Sequence, residues 1–339
     1  MATIKEIAEI AGVSRGTVDR VLNNRGSVNA NTANKVREIA TRLGYKPNKA
    51  AIILSAQKKN LKIGVILFGT TNPFFDDVVS GIKRKQEELE GYNCTIQIKR
   101  IPTKVQDQLD AIDSFVSEGI NGIALTPYND EKISSKINEL SDMGIPVVTL
   151  NTDIENSKRI AYVGSNYYLS GKTAAGLMNL MAKDDVYVGI ISGLENVLCH
   201  SQRIAGFKDC VYNDYPHIKI VDTIYNNDDD VESYELTSKL LKKHPNINAL
   251  FFVAGGVYGG CRSIIALNKH TDITSIAFDD VPTTKNMLKK GIIKSIICQQ
   301  PGIQGEKPID ILFNYLTTGD FPKEEYNYVS VDIRIKENM

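Results

Sequence analysis

"IKEIAEIAGVSRGTVDRVL", Ile4 to Leu22, carries apolar side chains at helical spacing on both sides of one glycine. Ile4, Ile7, Ala8 and Ala11 fall at i, i+3, i+4 and i+7, which puts them on one face of a helix. Thr3 and Glu6 form a capping-box pattern ahead of that face, each side chain able to satisfy a backbone amide. Gly12 supplies the freedom for a sharp turn, Ser14 can cap a second helix, and Val18, Val21 and Leu22 turn inward from it. A third helix, predicted over 31–43, buries Val36, Ile39, Ala40 and Leu43, so three short helices share one small core. Ala8, Gly12 and Val18 have the spacing of a helix-turn-helix: a small residue at the crossing, a glycine in the turn and a branched residue underneath. With these positions inward, Arg15, Gly16, Asp19 and Arg20 point outward.

Charge agrees with that reading. The 339 residues hold 40 basic and 40 acidic side chains, but the first sixty hold eleven Lys/Arg against four Asp/Glu. That segment is therefore +7 and the remainder −7, which points the N-terminal module at a polyanion. A solvated basic tail would have no reason to repeat hydrophobes at helical intervals. A trihelical module that binds protein is the other alternative; the charge, the turn spacing and an exposed arginine on the second helix together favour DNA. An arginine at the start of such a helix can offer a bidentate fork to guanine O6 and N7.

"NKAAIILSA", residues 48–56, follows Pro47 and has a cap in Asn48, yet is too short to hold a helix alone in water. It reads as a conditional helix. A passive linker is the alternative, for which Ile52, Ile53 and Leu54 are unusually apolar.

"TIKEIAEIAGVSRGTVDRVLN", followed by "NTANKVREIATRLGYKPNKAAIIL", closely resembles the N-terminus of lactose-repressor (LacI) family regulators, and the likeness continues over nearly the whole chain. The resemblance implies that Arg15, Gly16 and Arg20 face base edges, with Ser14, Thr17, Asp19, Asn23, Asn29, Tyr45 and Asn48 completing the DNA-facing set. It also implies a hinge helix that folds on DNA beside its dimer mate, with Ala51 at the close contact and Leu54 wedged into the minor groove. Gly16 and Asp19 depart from the residues usual there. Asp19 can accept from cytosine N4 or pair with Arg15 at i, i+4, and the pairing is the preferred reading, because phosphates repel a free carboxylate. Gly16 removes one reader, so the operator cannot be copied from better-known relatives.

From Leu61 onward, short apolar runs alternate with amphipathic segments: "IGVILF", "GIALTP", "IPVVTL", "VYVGII", "ALFFV", "TSIAF" and "KSIIC". Such runs, buried on both faces and separated by helices, indicate parallel sheets in βαβ units. The helix starting near Phe74 shows the pattern, with Phe75, Val78, Val79, Ile82 and Leu89 inward and Gly91 as a stop. The predicted architecture is a small all-α helix-turn-helix domain (1–46) and a hinge helix with linker (47–60), leading to an α/β core of two doubly wound parallel-sheet lobes (61–339). Ligands of such sheets sit outside the carboxyl ends of strands, so a cleft between the lobes is the expected site.

The core resembles the type I periplasmic sugar-binding fold, in which the chain crosses between lobes three times. That resemblance implies an N-lobe of 61–161 plus about 292–324, and a C-lobe of 162–291 plus about 325–339. It also implies ligand contacts from Asn72, Phe74, Phe75, Asn151, Arg203, Asp279 and Gln299. An aromatic face can pack on the C–H face of a sugar ring, while Arg, Asp and Asn bind neighbouring hydroxyls. Phe75 can equally be core, Asn72 can start a helix, and Arg203 and Asp279 can pair structurally. Ribose-type relatives carry Asp-Arg where this chain has Asn151-Thr152, and many carry Asn-Asp where it has Ala254 to Gly256. His200 and the acidic run Asp228 to Asp230 are candidates for lining the altered pocket, although such runs are usually solvated. The expected effector is a sugar, polyol or sugar acid; a nucleobase stacked on Phe74 is the alternative.

An enzyme on this scaffold is the rival from another class. "SGKT", Ser170 to Thr173, fails as a phosphate loop because Asn166 stands where the first glycine belongs. The five cysteines are scattered without metal or redox spacing, no run of about eighteen apolar residues occurs, and no secretory h-region opens the chain. The expectation is a cytoplasmic regulator without metal or cofactor. A homodimer is expected as well, since "VDIRIKENM" lacks the apolar heptads of the family's tetramers.

Overall fold

The computed structural model describes residues 2–22, 28–45, 60–70, 72–102, 104–182 and 184–339. Asn23, Asn48, Ala51 and Leu54, expected at DNA, lie outside the described residues.

Three helices open the chain: α1 (Ile4–Ala11), α2 (Arg15–Leu22) and α3 (Ala30–Arg42). The capping box of Thr3 and Glu6 is formed, and Gly12 ends α1 in the left-handed region at φ 71°. Ile7, Ala8, Ala11, Val18, Val21, Val36, Ile39 and Ala40 make a closed core, with Ile4, Leu22, Leu43 and Tyr45 half-buried against it. The Thr17 amide donates to Ser14 Oγ (3.0 Å), which starts α2. The Asn31 amide donates to Asn29 Oδ1 (3.0 Å), so α3 begins one residue earlier than the spacing predicted.

The remaining chain alternates strands and helices: β1 (Leu61–Phe68), α4 (Phe74–Leu89), β2 (Cys94–Ile101), α5 (Val105–Ser117), β3 (Gly122–Leu125), α6 (Glu131–Asp142), β4 (Val147–Leu150), β5 (Ala161–Gly164) and α7 (Tyr167–Met181). There follow β6 (Val186–Ser192), α8 (Leu198–Asp214), β7 (Ile218–Tyr225), α9 (Asp230–Lys243), β8 (Ala249–Phe252), α10 (Val257–Ala266), β9 (Thr274–Phe278), α11 (Pro282–Lys289), β10 (Ser295–Cys298), α12 (Pro301–Thr318), β11 (Tyr326–Tyr328) and β12 (Asp332–Arg334). The first sheet runs β11-β5-β4-β3-β1-β2 and the second β12-β10-β9-β8-β6-β7. All pairings are parallel except β10 with β12. Every position of β3, β4, β8 and β10 is buried, as expected of strands covered by helices on both faces.

Strand pairing corrects the expected lobe boundaries. β5 pairs with β4 as far as Val163, so the first sheet continues past 161. β10 lies beside β9 in the second sheet, so the chain returns to the first lobe after Cys298 and not near 292. β11 pairs with β5, which keeps Tyr326–Tyr328 in the first sheet, beyond the expected 324. Near-neighbour hydrogen bonding decides these points, which apolar runs alone do not resolve. Two smaller expectations also change: Val79 is only half-buried, and Gly91 lies within a 3-10 turn (Glu90–Tyr92) that follows α4 and is closed by left-handed Asn93 (φ 52°).

Helices cross very closely in both lobes. A Cβ at Gly81 of α4 would meet Gly302 O at 2.1 Å, and one at Gly171 of α7 would meet Arg203 O at 2.0 Å. Only hydrogen fits at either position. The second crossing sets where α8 lies, and therefore where its first turn delivers its side chains.

Candidate functional site: an interlobe cavity

The carboxyl ends of both sheets face one narrow cavity of about 40 Å³, room for two or three waters. All eight residues expected at the effector line it: Asn72, Phe74 and Phe75 after β1, Asn151 after β4, His200 and Arg203 on α8, Asp279 after β9, and Gln299 after β10. Larger hollows, such as one of about 520 Å³ beside Asn129 and Asn156, include none of these eight residues.

Arg203 is 2 % exposed, and its guanidinium lies 3.7 Å over the Phe278 ring and 4.7 Å from the Tyr167 ring centre. Its Nη1 donates to Val253 O (2.6 Å), while buried Nε and Nη2 have no protein acceptor. The aromatic faces fix the plane of the fork and leave one two-donor edge for an acceptor pair. Arg203 and Asp279 are not within ion-pair distance, so the structural pairing considered for them is absent among the described residues.

Asp279 Oδ1 instead accepts from Gln299 Nε2 (2.8 Å), and Gln299 Oε1 is left buried without a donor. Burial raises the Asp279 carboxyl pKa, and the Arg203 charge and the Gln299 hydrogen bond only partly offset this. Asp279 (φ 65°), Asn151 (φ 64°) and Gln300 (φ 49°) all adopt left-handed backbone directly after their strands or one residue later. That conformation turns the chain sharply at the cavity wall.

Two expected contacts have protein partners. Asn72 Oδ1 accepts from the Phe74 amide (3.0 Å), the helix-starting role, and the Asn72 carbonyl accepts from Arg100 Nη2 (3.1 Å). Asn151 Nδ2 donates to Tyr167 Oη and Gln304 Oε1, both at 3.3 Å. Phe75, 2 % exposed, packs edge-on against Phe74 and Phe68, so it serves both core and wall.

Phe68, Val197, Cys199, Asp228, Ala254 and Gly255 complete the wall. The acidic run divides by role. Asp228 reaches the cavity and accepts from the Gly255 amide (2.7 Å), while Asp229 caps α9 and Asp230 accepts from the Gly259 amide (3.0 Å). The "AGG" stretch, without side-chain hydroxyl binders, therefore makes the backbone bed on which Asp228 sits. The only advance signal for Asp228 is its membership of the acidic run; nothing local distinguishes it from Asp229.

His200 Nδ1 lies 3.0 Å from Leu194 O, and the Cys199 amide donates across the lobes to Thr152 Oγ1 (3.2 Å). Burial disfavours the imidazolium, but the neighbouring Cys199 and Asp228 charges outweigh it and hold the His200 pKa up to about 9.

In the N-terminal module, Arg15, Gly16 and Arg20 are exposed, and Arg20 Nε donates to Gly16 O (3.2 Å). Ser14 bonds Thr17 Oγ1 (2.9 Å) as well as its amide, so both are committed to the start of α2. Asn29 caps α3. Tyr45 is half-buried; burial raises its phenol pKa, and the charge of nearby Asp19 adds to the effect. Among the described residues no group of three His, Cys, Asp or Glu could hold a metal, and no helix is long and apolar enough to cross a membrane.

Comparison with known proteins finds two matching families. Residues 63–320 match the periplasmic binding protein domain family, and residues 3–48 match the bacterial regulatory proteins of the lacI family. ExuR of Bacillus subtilis, a probable HTH-type transcriptional repressor, is 30 % identical over 83 % of this chain and 82 % of its own. The HTH-type transcriptional regulator MalR of Clostridium butyricum is 27 % identical over 98 % of this chain and 97 % of its own. A solute-binding protein from Burkholderia graminis, solved with D-arabinose, superposes with a TM-score of 0.77 at 27 % identity, covering 83 % of this chain and 96 % of that one. With its helix-turn-helix followed by two doubly wound lobes, the chain belongs to the lacI family of bacterial regulatory proteins.

Proposed function

We propose that the chain is a homodimeric transcriptional regulator of the cytoplasm, whose three-helix module binds operator DNA and whose interlobe cavity binds a small polyhydroxylated effector. The observation that carries the effector half is the buried Arg203 edge, Nε and Nη2 without acceptors, in a cavity also lined by Gln299, whose Oε1 has no donor. A sugar, polyol or sugar acid supplies adjacent acceptors and donors of that kind. The arabinose complex of the similar solute-binding protein supports the same class. The +7 module and its exposed Arg15 and Arg20 support the DNA half.

Effector binding alters operator affinity because the cavity wall is built from both lobes, so a ligand favours the lobe arrangement that completes its contacts. A thermal-shift screen of the protein against sugars, polyols, sugar acids and purines tests the class. A stabilising sugar-like compound that also changes operator affinity is the expected result. A response to purines alone replaces the reading with nucleobase control. Selection on randomised DNA tests the other half, and recovery of no two-fold-related motif overturns it.

A further inference from the structure

Cys199 stands on the cavity wall, as the second residue of α8, next to His200 and one helical turn before Arg203. The other four cysteines are buried away from that wall. Two cationic side chains, His200 and Arg203, share that wall with it. First-turn amides of a helix, an imidazole and a guanidinium all favour a thiolate over a thiol. The two carboxylates on the same wall are engaged, Asp228 by the Gly255 amide and Asp279 by Gln299. The Arg203 edge, 98 % buried within a side chain that is 2 % exposed, presents Nε–H and Nη2–H with no protein acceptor.

Titration follows this geometry. Burial pushes the Cys199 thiol up, but His200 and then Arg203 outweigh it and bring the pKa below its ordinary value. Burial moves the others the opposite way: Cys94 to about 11, Cys298 to about 12, and Cys210 and Cys261 upward as well. At pH 7 a thiol near 11 is a thiolate in roughly one molecule in ten thousand. The five thiols therefore divide, one shifted toward the thiolate and four away from it.

We propose that Cys199 is an oxidation site, at which hydrogen peroxide entering the cavity converts the thiolate to a sulfenic acid. Sγ attacks one peroxide oxygen, so that an S–O bond forms while the O–O bond breaks. Sulfur loses two electrons and the peroxide gains them. The departing hydroxide takes a proton from the His200 imidazolium and leaves as water, with the unpaired Arg203 Nε–H and Nη2–H on the same wall to offset the developing charge. Peroxide has two heavy atoms, which suits a cavity of about 40 Å³. The product places a new oxygen beside the Thr152–Cys199 contact between the lobes, so oxidation and effector occupancy compete for one space. The assignment goes beyond the proposed function and does not depend on which effector binds.

The test treats the full-length protein with hydrogen peroxide at pH 7, traps sulfenic acid with dimedone, and quantifies the adduct on each of the five cysteine peptides by mass spectrometry. Cys199 should be tagged at least about tenfold faster than any other cysteine, and the advantage should vanish in urea, where all five share one environment. His200→Gln, with folding checked by circular dichroism, should slow tagging at Cys199 by at least about tenfold through loss of the proton donor. Even labelling of the five in the folded protein, or no adduct at Cys199 under peroxide that oxidises free glutathione, overturns the proposal. Should His200→Gln not fold, the folded-versus-urea comparison on the parent protein decides alone.

Discussion

Replacing Gly171 by alanine tests how the second lobe holds Arg203 in place. The new Cβ would stand 2.0 Å from the Arg203 carbonyl oxygen and 2.9 Å from the Phe207 amide nitrogen. Carbon and oxygen in contact need about 3.4 Å, so α8 must retreat by more than about 1 Å. Both obstacles are backbone atoms, and no rotamer change relieves them. Alanine gains about 0.8–1 kcal/mol of helix propensity, while overpacking a tight crossing costs about 1–3 kcal/mol, here at the upper end because a whole helix must move. The net loss is about 1–2 kcal/mol, and at about 2–4 °C per kcal/mol the melting temperature should fall by about 2–8 °C. Gly176→Ala, on the same helix, meets nothing nearer than the Tyr215 hydroxyl at 3.8 Å and should stabilise by up to about 1 kcal/mol. Scanning calorimetry on the parent and both variants gives the comparison. Equal shifts for the two, or a gain at Gly171, would refute the close-crossing argument. The retreat of α8 also carries Cys199, His200 and Arg203 off the wall, so any ligand-induced stabilisation should shrink in Gly171→Ala but persist in Gly176→Ala.

Three further outcomes are expected. Asp279→Asn keeps the shape, the left-handed backbone and an acceptor for Gln299, but removes a buried carboxylate whose pKa burial has raised. A raised folded-state pKa means that the stability contributed by the protonated acid is lost as pH rises through it, so the variant should melt above the parent at pH 7 and match it at acid pH. Calorimetric titration with the effector should show the opposite preference, a loss of about ten- to a hundredfold, because a charge-assisted hydrogen bond is gone. Arg203→Met preserves packing between Tyr167 and Phe278 yet removes both donors of the open edge, and it should abolish effector-induced thermal shift while leaving operator binding in gel-shift assays intact. Arg15→Ala should weaken operator binding by about 1–3 kcal/mol with relaxed base preference, and titrations across salt should show steep dependence for parent and variant alike.

The parts of the fold legible in the sequence are those where physics writes a simple pattern. "GIALTP", "IPVVTL", "ALFFV" and "KSIIC" are central strands, buried on both faces, and read as unbroken apolar runs. β2, "CTIQIKRI", and β7, "IKIVDTIY", escape that search because each lies at or next to open solvent on the edge of its sheet and interleaves polar side chains. β11 and β12 are three residues each and are defined by their partners, which is why apolar runs do not locate the last return between the lobes. At the site, charged and amide residues directly after apolar runs were visible. Cys199 and Val197 were not, since an apolar helix start and a cavity wall look alike in sequence; Ala254 and Gly255 contribute backbone, which sequence does not display.

The left-handed strand ends bear on how such a cavity can change its ligand. At Asn151 and Asp279 the backbone admits glycine, asparagine and aspartate at little cost and penalises most other side chains by about 1–2 kcal/mol. Substitution there is confined to a three-letter alphabet: an amide, a carboxylate or nothing. His200 and Cys199, on regular helix, face no such restriction, and neither does Val197 just ahead of it. A lineage drifting toward a new effector can therefore invert charge or delete a contact at the strand ends in one step. New shapes must come from the first turn of α8. A redesign library should copy that division, with full randomisation at 197, 199 and 200 and only Asn, Asp and Gly at 151 and 279.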